Sequence, residues 1–439
     1  MPNDIAASGA PVGNLPRLLL VLTEFPPGFG GMQTHAVNLT NHLAARGYAV
    51  EIATHRVADP ALKDAARRFD AGFGVPVHRC LSRLGFWHNV DALQRLARRS
   101  RVDLIYSSTV FYGLLGERTG LPVVCRSVGN DILRPWQGYP FQLLSSLIGA
   151  PVLQRLISRW LEHGWYPEWA ELLFHKTRHA LMRDSAQAHQ RVLANSDFTR
   201  DLLLNLGVEG ERIQVVTGGV DVARFRRPDA NPLRKRALRA ELGLPADAFV
   251  LLTACRFVAK KGLDLLLHAM RELRRDLPVH LVVAGDGRIR PDYEALAAEL
   301  GVSNHVSFRG RVEHGQLEHL FWAADAFVLA SKESVNPYTG TRDVETMGRV
   351  LCEANAAGLP VIASASGGIP SVVSDGDNGL LFPEGDLTRL TEAVRRMATE
   401  PGLAHQLMHR GIEKAEAAFD WSVIMNHHER AFAEVIASI

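Results

Sequence analysis

Short runs of β-forming residues alternate with longer helical patterns along almost the whole chain, starting near Arg17. In the first unit, LLLVLT is followed by the loop EFPPGFGG, a helical pattern and the strand-like VEIAT; the helical pattern has one apolar face of Met32, Ala36, Leu39 and Leu43. Such alternation is typical of β-α-β units, whose parallel strands are covered by helices. The chain is therefore predicted to be an α/β protein.

A second series of strands, with FVLLTA, VHLVVAGDG, HVSFRG, DAFVLA and PVIASAS, begins after the proline-rich, charged stretch RRPDANPLRKR. That stretch is predicted to link two Rossmann-like domains. We expect a flexible tail over residues 1–16, a first domain over 17–220, a second over 221–415 and a final helix over 416–439 that crosses back to the first domain. Parallel sheets bind ligands beyond the carboxyl ends of their strands, so the predicted site is the cleft between the domains.

The composition excludes several classes of protein. A chain of 439 residues with 47% hydrophobic and 22% charged residues should be globular, and 49 basic against 47 acidic side chains give no field that would attract nucleic acid. The four cysteines are scattered, which fits reduced thiols in the cytoplasm. No signal peptide and no membrane-spanning run is apparent.

One segment, residues 135–191, differs from the rest because it is basic, helical in pattern and rich in tryptophan. It is predicted to be a helical addition to the first domain. Internal packing is the favoured explanation for its tryptophans, and contact with an anionic membrane surface stays open. The expected location is therefore cytoplasmic, with a peripheral position on the inner face of the plasma membrane as an alternative.

The loop GFGG, residues 28–31, opens the first helix, so its backbone N–H groups can approach a phosphate. A dinucleotide fingerprint starting at Gly28 needs glycine at position 33, where this chain has Gln33. The pattern therefore disfavours NAD, and a glycine-rich turn with no ligand remains an alternative.

Two cations, Arg256 and Lys261, follow the first strand of the second domain in the run ACRFVAKKG. At the carboxyl end of a strand they suit a diphosphate, whose charge grows as it departs from a sugar. Taken alone, both are better explained as solvated surface charges.

Two glutamates, Glu345 and Glu353, are separated by seven residues in ETMGRVLCEANAAGLPVIAS. A helix that starts near Gly348 puts Glu345 on the preceding loop and Glu353 in its second turn, so they have separate roles. The helix carboxylate can accept hydrogen bonds from ribose, the loop carboxylate from sugar hydroxyls, and the amides near Gly348 can bind phosphate.

Together with FPPGFGGMQTHAVNLTNHLAARGYAVEIAT, ANSDFTRDLLLNLGV, GGVDVARF, RFVAKKGLDLLLHA and SGGIPSVVSDGDNGLLF, these motifs cover most of the chain. The sequence resembles retaining glycosyltransferases of the GT-B fold, in glycosyltransferase family 4. The resemblance implies transfer of a sugar from a nucleoside diphosphate sugar to an acceptor hydroxyl, without a metal or other cofactor, in the synthesis of bacterial exopolysaccharide, lipopolysaccharide or another glycoconjugate. A carbohydrate or a lipid-linked saccharide is the implied acceptor.

The resemblance also implies a role for each matching residue. Glu345, Arg256, Lys261 and Asp131 are implied in catalysis. The donor-binding set implied by the resemblance comprises Gly30, Gly31, Arg256, Lys261, Arg311, Glu345, Gly348, Arg349, Val350 and Glu353.

Several departures from relatives lie near the expected site. Val128 replaces a histidine that many relatives have, Gly218 replaces an asparagine, and Ser371 replaces a glutamate. Residues 331–344, SKESVNPYTGTRDV, form a longer loop than usual, and we expect this insertion to shape the selection of sugar or acceptor.

Two further functions stay open. A sugar-nucleotide epimerase shares the GT-B architecture, and a non-catalytic subunit that binds the donor would use the same phosphate cations. The histidines show no zinc-ligand spacing, and His427 and His428 are expected to be exposed on the last helix. The run DGDNG, residues 375–379, is predicted to be a turn.

Overall fold

The computed structural model describes residues 15–28, 30–57, 59–82, 86–134, 168–228, 231–312, 315–335 and 342–438, and the side chains of 168–177 are not described. Two parallel sheets, of seven and six strands, lie one in each half of the chain. They confirm the predicted α/β class. The tryptophan-rich residues 135–167 and the middle of the insertion, 336–341, lie outside the described residues.

The first sheet is built from β1 (Arg17–Leu22), β2 (Ala49–His55), β3 (Val77–Leu81), β4 (Leu104–Ser107), β5 (Val123–Ser127), β6 (Arg191–Ala194) and β7 (Ile213–Val215). Its order is β3-β2-β1-β4-β5-β6-β7. The helices of this half are α1 (Gly31–Ala45), α2 (Pro60–Gly72), α3 (Phe86–Ser100), α4 (Leu115–Thr119), α5 (Asn130–Leu133), α6 (Glu168–Gln187) and α7 (Asp197–Asn205).

The second half contains the strands β8 (Phe249–Ala254), β9 (Val279–Ala284), β10 (Val306–Gly310), β11 (Ala326–Leu329), β12 (Ser334–Val335), β13 (Arg342–Asp343), β14 (Val361–Ser364) and β15 (Leu380–Phe382). The main sheet has the order β10-β9-β8-β11-β14-β15, and β12 and β13 form a separate antiparallel pair. The helices are α8 (Val222–Phe225), α9 (Pro232–Glu241), α10 (Leu263–Leu273), α11 (Arg290–Glu299), α12 (Leu317–Ala323), α13 (Arg349–Ala356), α14 (Leu387–Thr399), α15 (Pro401–Lys414) and α16 (Trp421–Ala437).

Strand β1 shows why the first sheet forms. Its side chains alternate between two cores, with Leu19 and Val21 in the one that includes α3 and Leu18 and Leu20 in the one that includes α1 and α16. A strand buried on both faces needs a continuous apolar run, and LLLVL supplies it. The second sheet likewise has a core on each face.

The chain crosses between the two halves twice, near Val220 and near Asp420, and the two crossings lie side by side. Val220 donates its N–H to the Phe419 carbonyl at 2.8 Å, and Trp421 donates its N–H to the Val220 carbonyl at 3.2 Å. A Cβ on Gly219 would lie 2.1 Å from the Trp421 ring, so glycine is needed for this approach. Helix α16 then packs Ile424 into the core of the first half.

The predicted linker RRPDANPLRKR is therefore in the wrong place. Asn231 accepts a hydrogen bond from the Leu233 N–H at 2.9 Å and caps α9, which starts at Pro232. Lys235 and Arg239 both pair with Asp325 at 2.5 Å on the second domain. Residues 232–236 of this stretch thus belong to α9, whose basic side chains Lys235 and Arg239 are neutralised within the second domain.

The prediction that His428 is exposed is also wrong. Its side chain is fully buried, its Nδ1 lies 2.9 Å from the Ile424 carbonyl, and its ring lies 4.8 Å from that of His35. Burial lowers the pKa of His428 to about 3. His427 is half-buried, with its Nδ1 3.1 Å from Gln214. No helix among the described residues is long and apolar enough to cross a bilayer.

Candidate active site

A cleft of about 1290 Å³ lies between the two halves, at the carboxyl ends of β1, β8 and β9. The first half contributes the glycine loop, the start of α1 and part of α2. The second half contributes the loops that follow its strands and the start of α13. All ten residues of the predicted donor-binding set line this cleft: Gly30, Gly31, Arg256, Lys261, Arg311, Glu345, Gly348, Arg349, Val350 and Glu353.

Helix α1 begins at the cleft without a side-chain cap. Gly30 accepts the first helical hydrogen bond from the Thr34 N–H at 3.0 Å, which leaves the N–H groups of Gly31 and the next residue without a helical partner. Gln33 folds back over the loop and donates to Glu24 at 2.6 Å, and a Cβ on Gly30 would lie 2.7 Å from the Gln33 amide oxygen. Gln33 therefore occupies the space above the loop glycines.

Helix α13 also begins at the cleft. Gly348 has φ of +84°, in the left-handed region that disfavours other residues, and it provides no side-chain cap. The guanidinium of Arg349 lies 3.6 Å from the position of a Cβ on Gly31, so the starts of α1 and α13 are close to each other. The positive ends of two helix dipoles thus face one cleft, an arrangement that suits an anion.

Lys261 and Glu345 form a buried ion pair at the base of the cleft, and their side chains are 12% and 13% exposed. Burial raises the pKa of Glu345, but the positive charges of Lys261, Lys260 and Arg256 outweigh burial and hold it below its usual value. Burial lowers the pKa of Lys261, but Glu345 outweighs it and raises the pKa. Both groups are therefore charged at neutral pH.

Arg256 and Arg311 are exposed cations on the same wall of the cleft. Within the part of the chain that the structure describes, neither has an acidic partner. Their hydrogen-bond donors are available to a ligand, in contrast to those of the buried Lys261.

Glu353 lies one turn into α13, with its carboxylate 3.3 Å from Arg349, and its side chain is 12% exposed. Burial raises the pKa of Glu353, and the charges of Arg349 and Arg224 oppose that rise only in part. The two glutamates thus differ in protonation behaviour, since the pKa of Glu345 is lowered.

A pair of glycines holds the backbone at Glu345, a role that the sequence analysis missed. Gly368 donates its N–H to the Glu345 carbonyl at 2.8 Å, and a Cβ on Gly367 would lie 2.2 Å from that oxygen. Gly367 also has φ of +52°. The signal was present as the adjacent glycines of SGGIP, although the sequence alone does not say which loop they approach.

Asp131 does not line the cleft. It is buried, with one oxygen accepting the Ser127 hydroxyl at 2.8 Å and the other accepting the Val110 N–H at 3.0 Å. One oxygen holds the end of β5 and the other the turn that follows β4, and Asp131 is not among the residues that line the cleft.

The departure at Gly218 has a local explanation. Its N–H donates to the Met347 sulfur at 2.8 Å, and a Cβ at this position would lie 2.8 Å from the Met347 methyl group. Met347 therefore fills the volume that a larger residue at 218 would use.

Ser371 contacts the first domain. Its hydroxyl donates to the Asp197 carboxylate at 2.9 Å and accepts the Asp197 N–H at 2.8 Å, which joins the two domains. Val128 is half-buried beside the glycine turn, where its carbonyl accepts from Asn195 at 3.3 Å. The run DGDNG is a turn, with residues 375 and 379 bridged. The described residues contain no cluster of three histidine, cysteine or carboxylate side chains that could hold a metal.

Comparison with known proteins decides the family. Residues 29–224 match the model of "Glycosyltransferase Family 4", and residues 234–415 match that of "Glycosyl transferases group 1". A D-inositol 3-phosphate glycosyltransferase from Frankia alni is 30% identical over 431 residues, which cover 93% of this chain and 95% of that protein. The chain belongs to glycosyltransferase family 4.

Other relatives of this glycosyltransferase vary in their substrates. A GDP-mannose-dependent alpha-(1-6)-phosphatidylinositol monomannoside mannosyltransferase from Mycolicibacterium smegmatis is 28% identical, covering 92% of this chain and 95% of its own length. Anabaena HepE in complex with UDP superposes with a TM-score of 0.70 at 22% identity, covering 96% of this chain and all of that one. That superposition supports the two-domain fold.

Proposed function

We propose that this glycosyltransferase moves a sugar from a nucleoside diphosphate sugar to an acceptor hydroxyl with retention of configuration. The observation that carries the proposal is the set of groups on one wall of the cleft: the exposed Arg256, the buried Lys261 and the start of α13 at Gly348, which has no side-chain cap. Converging N–H donors and cations suit a diphosphate, whose negative charge increases as the bond to the sugar breaks.

In the proposed reaction, the bond between the anomeric carbon and the diphosphate oxygen breaks as the acceptor oxygen attacks from the same face. The acceptor proton passes to the departing phosphate, so the products are the glycoside and the nucleoside diphosphate. Arg256 and Lys261 stabilise the leaving group. Gly31 and the next residue each contribute a backbone N–H from the opposite wall.

Glu345 is proposed to accept hydrogen bonds from hydroxyls of the transferred sugar. Its lowered pKa keeps it ionised, and Lys261 neutralises it. A carboxylate paired in this way is a poor nucleophile, which favours orientation of the sugar over covalent catalysis. Glu353 is proposed to bind the ribose, and Arg311 to lie near the base.

UDP and GDP are the nucleotides to test first, because HepE is solved with UDP and the Mycolicibacterium relative is GDP-mannose-dependent. For the acceptor, relatives use inositol phosphate or phosphatidylinositol mannoside. We propose a polyol phosphate or a saccharide, free or lipid-linked, as the acceptor in the synthesis of a bacterial glycoconjugate.

We propose a cytoplasmic location, with peripheral contact at the inner face of the plasma membrane if the acceptor is lipid-linked. Sedimentation of the purified protein with vesicles of anionic or neutral lipid tests that contact. Recovery of the protein in the supernatant with both kinds of vesicle would exclude it.

The central experiment is calorimetric binding of UDP-, GDP- and ADP-sugars, followed by transfer assays with the donor that binds. Release of nucleoside diphosphate together with an α-linked product from an α-linked donor supports the proposal. An epimerised donor without acceptor would support the epimerase instead. Nucleotide binding without either reaction across an acceptor panel would support a non-catalytic subunit.

A further inference from the structure

The insertion 331–344 ends immediately before Glu345, and its described ends form the hairpin of β12 and β13. Ser334 lies opposite Asp343, and Val335 lies opposite Arg342. Arg342 pairs with Glu333 at 2.5 Å, which closes the hairpin at its base. The hairpin therefore gives Asp343 a defined position beside the cleft.

Asp343 contacts cations from both domains. Its Oδ1 lies 2.9 Å from the ammonium of Lys260, which follows β8, and its Oδ2 pairs with the guanidinium of Arg134, which follows α5 in the first domain. Lys260 also donates to the Val344 carbonyl at 3.1 Å. One carboxylate thus connects the first domain to the segment that contains Glu345.

This contact is adjacent to the donor-site ion pair. Lys260 pairs with Asp343, and its neighbour Lys261 pairs with Glu345, so two neighbouring lysines hold two carboxylates of one short segment. The Lys260 carbonyl accepts the Lys332 N–H at 2.8 Å, which ties the lysine turn to the start of the insertion. Only two peptide units separate Asp343 from Glu345, so the two carboxylates lie on one short segment that the two lysines hold.

The two cations that pair with Asp343 differ in burial. The Lys260 side chain is 8% exposed, so removal of the Asp343 charge leaves a buried cation without its partner. The Arg134 side chain is 52% exposed, so its pair with Asp343 contributes little to the stability of either domain. The effect we expect of the Arg134–Asp343 pair is on the position of one domain relative to the other.

We propose that Asp343 is a positioning residue that couples the approach of the first domain, through Arg134, to the placement of Glu345 and Lys261. The proposal rests on the proposed function, because it gives Glu345 a contact with the transferred sugar. Domain closure completes the active site of many two-domain enzymes. Here the Asp343 carboxylate would link closure of the domains to the positions of Glu345 and Lys261.

The test is a double-mutant cycle of Arg134→Gln and Asp343→Asn, with kcat, acceptor KM and nucleotide affinity measured for each variant. Arg134→Gln should lower kcat about 5-fold with nucleotide affinity within about 2-fold, and Arg134→Lys should restore most of kcat, because the charge is kept. The double variant should match Asp343→Asn alone. Additive effects on kcat, or wild-type kcat in Arg134→Gln, would overturn the proposal.

Arg212→Gln is the matched control. Arg212 forms an ion pair with Glu209 at 2.9 Å and is 41% exposed, but it lies at the start of β7, at the end of the sheet away from the cleft. Its kcat should equal that of the wild type, and an equal loss in both arginine variants would assign the effect to surface charge in general.

Hydrogen exchange separates this proposal from the proposed function, because it needs no transfer. Amides of residues 342–348 should exchange faster in Arg134→Gln than in the wild type and in Arg212→Gln, with or without UDP. Unchanged exchange would overturn the coupling even in an active enzyme. Faster exchange in a protein that transfers no sugar would retain the coupling while the proposed function fails.

Discussion

The two walls of the cleft differ in chemistry. The second domain supplies the start of α13 and the charged side chains that line the cleft, namely Arg256, Lys261, Asp286, Arg311, Glu345, Arg349 and Glu353. The first domain supplies the glycine loop at the start of α1 and an apolar surface of Pro26, Pro27, Val37 and Phe69. On the proposed function, this difference gives the second domain most of the contacts with the diphosphate. The first domain, apart from the Gly31 N–H, shapes what approaches the sugar.

Lys261→Ala should have the largest effect, because it removes a phosphate cation and leaves Glu345 buried without a partner. We expect transfer to fall by about 10²- to 10³-fold, with donor affinity and turnover both reduced. Kinetics, donor calorimetry and a thermal melt measure these effects. If transfer stays normal, the assignment of the charged wall is wrong.

The pH dependence of this pair follows from the directions of its pKa shifts. The lowered pKa of Glu345 gives a stabilisation that is lost as the pH falls through that pKa, and the raised pKa of Lys261 gives one that is lost as the pH rises through it. The pair should therefore stabilise the protein throughout the neutral range. A melt series in which Lys261→Ala loses stability only at the extremes of pH would contradict this.

Arg256→Ala should have the next largest effect, and it sharpens the contrast between exposed and buried cations on one wall. Because a hydrogen bond to a charged group is worth about 1.5–3 kcal/mol, donor affinity and turnover should fall about 10- to 10²-fold. The melting temperature should fall less than in Lys261→Ala, since Arg256 is exposed and acts on Glu345 through its charge without forming a salt bridge among the described residues. A large loss of stability would show that the side chain has a structural role instead.

Phe69→Ala tests the apolar wall of the first domain. The Phe69 ring contacts Phe25 and Phe73 and faces the cleft from α2. We expect the acceptor KM to rise about 5-fold through lost apolar contact, with nucleotide affinity unchanged. A thermal melt checks that the variant is folded. If the affinity for UDP or GDP falls as much as the acceptor KM rises, the donor also contacts this wall.

Glu353→Gln should have the smallest effect. Its raised pKa means that Glu353 protonates before Glu345 as the pH falls, and glutamine resembles the protonated form. Nucleotide affinity should change by about 3-fold or less, and Glu353→Ala should weaken it more, because alanine cannot hydrogen-bond to ribose. As the pH is lowered, the wild-type affinity measured by calorimetry should approach that of Glu353→Gln before the pH reaches the pKa of Glu345. Parallel curves would exclude a titration of Glu353.

Much of the second domain's site followed from the sequence because its groups are short-range features. Arg256 and Lys261 belong to one loop, and Gly348 predicts the start of α13 from its own backbone preference. The apolar run of β1 likewise predicted a strand buried on both faces. These inferences use only neighbouring residues, where the chemical signal is local.

Three features needed the tertiary structure, because they depend on residues far apart in the chain. The basic stretch around Lys235 resembles a linker in sequence. In the structure, the charge of Lys235 is neutralised by Asp325, which lies ninety positions later. Asp131 matches a motif that the resemblance links to catalysis. In the structure, its carboxylate oxygens accept hydrogen bonds from the Ser127 hydroxyl and the Val110 N–H.

The Lys261–Glu345 pair is the third such feature, and it returns to the contrast between the walls. The sequence by itself determined the α/β class, the family motifs and the residues that line the charged wall. Only the tertiary structure decided that Lys261 and Glu345 neutralise each other while Arg256 stays unpaired among the described residues. The physical reason is that burial and pairing set the charge state of a group, and both are decided by which distant segments the fold brings together.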